Sequence, residues 1–268
     1  FEMALILFLM GELKRDEYKF FEPYRVLAAS SGFVVGPLLA VFLRDQVSTV
    51  APFVLTALFV LVAVVYARSL GLGDGKHTGS TTSAANPIVY LRRFFSQPRL
   101  LLAWSLSLTR YGWWMAFYIY VPIYATSSGL GALVAGAMVS VAMLSSWLAP
   151  MWAMLGRRYG LRTLYVTGFV GCGILSLAAY AVSDRPVVCT VTLLAAGLFS
   201  NLPDGASHIP FYRATRVRER AEMSGVYVTH RDAGQLFPPA VFSLLLKVFP
   251  LPVVFAVTGG MMLVAGYF

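Results

Sequence analysis

Eight stretches of this chain are apolar enough and long enough to cross a lipid bilayer: 24–43, 50–70, 99–126, 131–155, 162–182, 187–211, 223–248 and 251–268. A hydrocarbon core about 30 Å thick needs about 20 residues of helix, and each stretch supplies that. Lipid offers no partner for a backbone N–H or C=O. Spans of this length are therefore read as helices, whose backbone groups pair within the segment. The expected fold is an all-α membrane protein, a polytopic helical bundle. Charge content agrees: 12% of the 268 residues are charged, against about 25% in a soluble domain. That is too few to cover a soluble surface. It excludes a cytosolic enzyme, a disordered chain and a nucleic-acid-binding domain.

The formal net charge of +9 reads as topology rather than phosphate binding. Sixteen of the 21 basic residues fall in four alternate connections, 12–25, 68–99, 156–162 and 212–222. The intervening connections hold only Arg44, Arg185 and Lys247. Basic loops stay cytoplasmic, so the rich connections are expected inside, in a multi-pass protein of the cell (inner or plasma) membrane. Cys172 and Cys189 both sit in apolar stretches, which gives no sign of a disulfide framework or a thiolate metal site. No metal or cofactor is expected.

Residues 1–11 are apolar but too short to cross, and no basic segment precedes them as in a signal peptide. A chain that starts on Phe1 and stops inside a span is expected to be a piece of a longer protein. Residues Gly71–Ala85 are rich in Gly, Ser and Thr and read as a linker. Gly71 to His77 resembles a phosphate loop only loosely, since Leu70 and His77 occupy its glycine and hydroxyl positions. Asn86-Pro87 then reads as a helix start. Ile88, Leu91, Phe94 and Phe95, with Arg92 and Arg93 beside them, predict a short helix lying on the inner membrane surface.

Two spans carry the same device. Gly32-x-x-x-Gly36-Pro37-x-x-Ala40 aligns with Gly234-x-x-x-Pro238-Pro239-x-x-Phe242 at an offset of 202 residues. Repeats of about six helices build many secondary transporters. The chain resembles the major facilitator superfamily. The stretch from Gly32 to Ala40 is similar to that family's fifth-helix antiporter motif, with alanine at 40 where glycine is usual and Pro23 at an earlier glycine position. The run Arg157-Arg158-Tyr159-Gly160-Leu161-Arg162 is similar to the second copy of its basic loop motif, with Arg157 in place of the aspartate. The resemblance implies two six-helix halves with alternating access to a central cavity, the first half truncated here. On it, residues 1–70 are the end of family helix 4 with helices 5 and 6. Residues 71–98 are a cytoplasmic linker with the short interfacial helix, and residues 99–268 are the C-terminal half. It also assigns Gly32, Gly36, Pro37, Gly234, Pro238, Pro239, Arg158, Gly160 and Arg162 to conformational or gating motifs. Plain helix packing by small residues is the other reading of the glycines.

A charge at mid-membrane costs at least about 2.5–3.5 kcal/mol and usually faces a cavity or a partner. At 1.5 Å per residue, Arg110, Asp232 and Asp204 lie roughly 16, 15 and 13 Å from the cytoplasmic edge. Helical spacing places Gly197, Asn201, Asp204 and His208 on one face. Thr229, Asp232, Gln235, Pro239 and Ser243 form a second stripe, and Ser107, Arg110, Trp114 and Phe117 a third. Arg231 points about 100° away from Asp232, towards Gly234 and Pro238. Arg110, Trp114, Asn201, Asp204, Arg231, Asp232 and Gln235 are thus candidates for substrate binding or ion coupling. Arg110 and Arg231 balance Asp204 and Asp232, either as a static lock or as a proton-coupling device. Burial favours the neutral carboxyl and a nearby arginine the ionised one, so a pair that separates can exchange protons. Trp113 and Trp114 lie too deep for an interfacial belt and are read as facing lipid or walling the cavity. Glu2 also falls near mid-membrane.

The expected function is secondary active transport of a small organic solute by alternating access, with proton antiport, and not an enzymatic reaction. Alternatives are a uniporter or symporter, or a receptor or scaffold on the same fold. The expected partners are a small-molecule substrate, protons and the lipid bilayer, without nucleic acid.

Overall fold

A computed structural model describes residues 15–69, 87–206, 209–215 and 220–267. Glu2, the linker 71–85, Asn86, His208, and the loop residues Arg216 and Arg218 lie outside the described residues. Among the described residues the chain is helical, without a strand. In order come α1 (Arg15–Gln46), α2 (Ala51–Ser69), α3 (Pro87–Phe95), α4 (Pro98–Ser127), α5 (Ala132–Leu144), α6 (Ala149–Tyr159), α7 (Leu161–Ala181), α8 (Pro186–Ser200), α9 (Ile209–Ala214), α10 (Arg220–Leu245) and α11 (Val253–Tyr267).

Three helical segments, Ala132–Tyr159, Leu161–Ala181 and Pro186–Asp204, are long and apolar enough to cross a membrane. The longer α1, α4 and α10 carry more polar residues, and α4 with α10 holds most of the candidate site.

Two of the expected spans are not continuous α-helices. The 131–155 stretch tightens into a 3₁₀ turn at Ser145–Leu148 between α5 and α6. Pro150 has no N–H to give the Ser146 carbonyl, so the α ladder cannot pass. The 187–211 stretch breaks after Ser200 into a 3₁₀ turn at Leu202–Ala206, followed by the short α9. Pro203 withholds the N–H that the Phe199 carbonyl would take. A mid-helix 3₁₀ stretch often marks a hinge.

α4 is the central column. Its Trp113, Trp114, Phe117, Tyr120, Val121 and Tyr124 are buried among α5, α7, α8, α10 and α11. The two tryptophans, expected at lipid or at a cavity wall, do not face lipid and are buried within the bundle. They are 3% and 7% exposed, meet edge to face at 5.1 Å, and Trp113 donates to Ser176 Oγ at 2.9 Å. An indole is accepted deep in a core when its N–H finds such a partner.

Small residues set the helix crossings, though not the two glycines of the α1 motif. Added Cβ atoms at Gly32 and Gly36 would meet nothing within 4 Å. The close approaches use glycines on the facing helices. A Cβ at Gly136 of α5 would lie 3.4 Å from the Pro37 carbonyl oxygen, and one at Gly112 of α4 would lie 3.1 Å from Pro238 Cγ. Each Gly-Pro segment therefore seats on a glycine opposite. α7 and α11 cross through Gly173 and Gly259, where each Cβ would meet the other's carbonyl oxygen at 2.9 Å.

The short helix forms where expected, but it docks on the bundle. Phe94 is fully buried with Leu100, Phe211, Met223 and Tyr227, while Leu91 and Phe95 stay exposed. The loop at 156–162 shrinks to a single junction residue, Gly160, whose φ of +91° suits glycine alone. Arg158 and Arg162 beside it are exposed, and Arg158 stacks 5.4 Å over Tyr159.

Candidate functional site

Arg110 and Asp204 form an ion pair between Arg110 Nη1 and Asp204 Oδ1, with the side chains 20% and 21% exposed. Arg110 reaches it from the middle of α4. Asp204 reaches it from the 3₁₀ turn, which exists because Pro203 ends α8. The sequence placed the two residues at similar depth, and the fold closes them on each other. Tyr165 and Tyr227 lie within electrostatic range of Arg110, and Tyr118 within range of both charges. The pair is thus ringed by phenols rather than by further carboxylates.

Asn201, three residues before Asp204, is 1% exposed. Its Nδ2 donates to Ser145 Oγ and, at 3.3 Å, to Ser146 Oγ. Those serines open the other 3₁₀ turn, whose Ser145 carbonyl also accepts the Trp152 Nε1–H at 3.3 Å. The two helix breaks are therefore tied by one buried amide, and α6 packs on the turn that carries Asp204. Gly168 of α7 leaves the room that Pro203 needs, since a Cβ there would come within 3.0 Å of Pro203 Cδ.

A second polar cluster joins α4 to α10. Tyr111 Oη accepts hydrogen bonds from Arg231 Nε at 3.2 Å and Gln235 Nε2 at 3.0 Å. The Arg231 guanidinium also lies 6.0 Å from the Tyr111 ring centre. Gly234 lets the ring in, because a Cβ there would be 2.8 Å from Tyr111 Cδ1. One turn nearer the helix start, Ser107 Oγ and Tyr227 Oη share a 2.6 Å hydrogen bond. Trp104 Nε1 donates to Thr229 Oγ1 at 3.2 Å. His230 is held by its Nδ1 at 2.6 Å from the Tyr227 carbonyl.

The candidates therefore fall into three groups. Arg110, Asp204 and Asn201 belong to the linked breaks. Arg231 and Gln235 converge on Tyr111. Asp232 is exposed and makes no ion pair among the described residues. Trp114 lines neither cluster directly but packs at 5.5 Å from Tyr118 and bounds the space beside Gly197. Sequence reasoning missed Tyr111 as a polar hub, and it missed Ser145 and Ser146. Their signal was present in part: Tyr111 adjoins Arg110, and two serines interrupt an apolar run just before Pro150.

No group of three His, Cys, Asp or Glu side chains that would hold a metal occurs among the described residues. Residues 142–268 match the family model described as Major Facilitator Superfamily. Over those residues, just under half of the chain, the sequence is similar to that family. No curated protein matches the chain. The match, with the apolar helices, supports a multi-pass all-α membrane protein and a membrane transporter in general. The matched region opens at Ala142, so it holds both helix breaks, Asp204 and the whole of α10, while Arg110 lies upstream of it.

Proposed function

We propose that the chain belongs to a secondary active transporter that exports a small organic solute in exchange for protons, with Asp204 as the proton-carrying group and Arg110 as its partner. The observation that carries this reading is an ion pair made by a residue inside a helix break. A carboxylate on a regular helix can change charge without changing backbone. Asp204 sits on a turn already short of α hydrogen bonds, so its charge state bears directly on the turn's geometry.

In the cycle, a proton on Asp204 removes one charge of the pair and frees the turn from α4. Asn201 passes any movement of that turn to Ser145 and Ser146, so α6 and α9 shift together at the cytoplasmic end. Loss of the proton restores the pair. Arg231, Gln235 and Tyr111 supply polar contacts for the solute, and Trp114 and Tyr118 an aromatic wall beside them. Asp232 has no part in coupling on this reading. The Gly-Pro segments of α1 and α10, seated on Gly136 and Gly112, are the surfaces that rock, and the Arg158–Gly160–Arg162 junction is a cytoplasmic pivot. Residues 1–70 end one helical half, residues 71–98 link, and residues 99–268 form the other. The basic connections lie on the cytoplasmic side of the cell membrane.

Uniport is the second reading, in which the formed Arg110–Asp204 pair is a permanent lock. Inverted membrane vesicles carrying the full-length protein and a pH-sensitive dye separate the two. Pools of cationic, anionic and neutral solutes are added to wild type, Asp204→Asn and Asp232→Asn. The expected result is proton movement triggered by one pool, lost in Asp204→Asn and kept in Asp232→Asn. Solute movement without proton flux in wild type selects uniport.

A further inference from the structure

Two cavities of about 230 Å³ each meet at Leu106 of α4 and Pro210 of α9. One runs along the start of α7 past Tyr165 and Phe169 and is closed by Ala265 of α11. The other runs along α4 past Leu102 and Ala103. α4 and α7 each pack closely on α11 and meet one another through side chains such as Trp113 and Ser176, and the groove lies between them beside Leu106 and Tyr165. The inner walls are apolar. Each outer end carries an arginine: Arg162 on the first cavity and Arg99 on the second, both exposed and both the second residue of their helix. The first turn of a helix has N–H groups without intrahelical acceptors and a partial positive charge. A guanidinium at that place makes a seat for an oxyanion.

An apolar slot between membrane helices, with cationic oxyanion seats at the mouth, matches one ligand chemistry, an anionic head on a hydrocarbon chain. We propose that this groove binds anionic glycerophospholipid, with acyl chains in its two arms and a phosphate at the arginine of each, Arg162 and Arg99. Charge complementarity at the mouth selects the lipid by head, and the slot selects it over free phosphate. Arg110 and Asp204 do not line the groove, although Tyr165 borders both, and the proposal does not rest on proton coupling.

The test uses the full-length protein in detergent with phosphatidylglycerol or phosphatidylcholine added, counting bound lipid by native mass spectrometry. Wild type is expected to retain phosphatidylglycerol in preference. Arg99→Gln and Arg162→Gln should each cut that preference about fivefold, the effect of one basic residue at an anionic surface. Arg162→Lys should keep most of it. Ala265→Phe, which fills the slot, should lower retention of both lipids. Melting curves in phosphatidylcholine identify variants that fold as wild type does. An unchanged preference in the Arg99→Gln/Arg162→Gln double variant overturns the proposal. So does displacement of the lipid by inorganic phosphate alone, or full retention in a normally melting Ala265→Phe protein.

Discussion

Arg110→Gln alone is expected to cost about 3–5 kcal/mol of folded stability, because it strands the Asp204 carboxylate in a site about four-fifths buried. Asp204→Asn alone should cost a comparable amount by stranding the guanidinium. Removing both charges together, as Arg110→Gln with Asp204→Asn, should recover most of the loss. Replacing a whole buried pair is often near neutral, since the desolvation of two charges offsets their attraction. The three variants and wild type form a double-mutant cycle, read as unfolding of the full-length protein in mixed detergent. Costs that simply add in the double variant would mean that the two side chains do not interact. The same cycle separates structure from transport: the double variant should fold and still fail to couple solute to protons.

The second large effect belongs to the crossing of α7 and α11. Gly173→Val should cost about 3 kcal/mol or more, at the upper end of the overpacking range, because its Cβ meets the Gly259 carbonyl oxygen at 2.9 Å and Leu263 Cγ at 2.7 Å. A side-chain end can swing aside, but a carbonyl oxygen moves only with its helix. Gly260 is the internal control. It neighbours Gly259 on the same helix, yet a Cβ there meets nothing within 4 Å. Gly260→Ala should be neutral or stabilise by up to about 1 kcal/mol, as alanine does in place of glycine inside a helix. Loss of folded protein from Gly260→Ala, or a normal melting curve for Gly173→Val, would contradict the crossing described.

Depth was readable in the sequence, and direction was not. Counting residues from a charged edge brings Arg110 and Asp204 to one level because a helix rises by a fixed amount, and they do meet. The same count brings Asp232 there too, but Asp232 is exposed on α10 and takes no part in that ion pair. Periodicity tells which residues share a face of a helix and leaves open which face turns inward; the neighbours decide that. Tyr111 against Gly234 decides it for α10. Trp113 shows the same limit, since the hydroxyl that satisfies its indole belongs to Ser176, 63 residues away on α7.

The helix breaks were hidden for a different reason. Averaged over a span, hydropathy stays high across Ser145–Leu148 and across Leu202, so it sees one span in each place despite the two serines. The interruption is made by Pro150 and Pro203, which remove backbone donors without adding polarity. The Gly-Pro repeat was visible, but its packing partners were not: Gly112 and Gly136 sit on other helices and carry no motif of their own.

In the proposed mechanism Asp204 takes and gives the proton. The direct measurement is infrared difference spectroscopy of the full-length protein in lipid as the pH is stepped, watching the stretching band of protonated carboxyl groups. The predicted result is a band that rises on acidification in wild type and in Asp232→Asn and is missing in Asp204→Asn. A band that persists unchanged in Asp204→Asn, or that vanishes only in Asp232→Asn, would contradict the account.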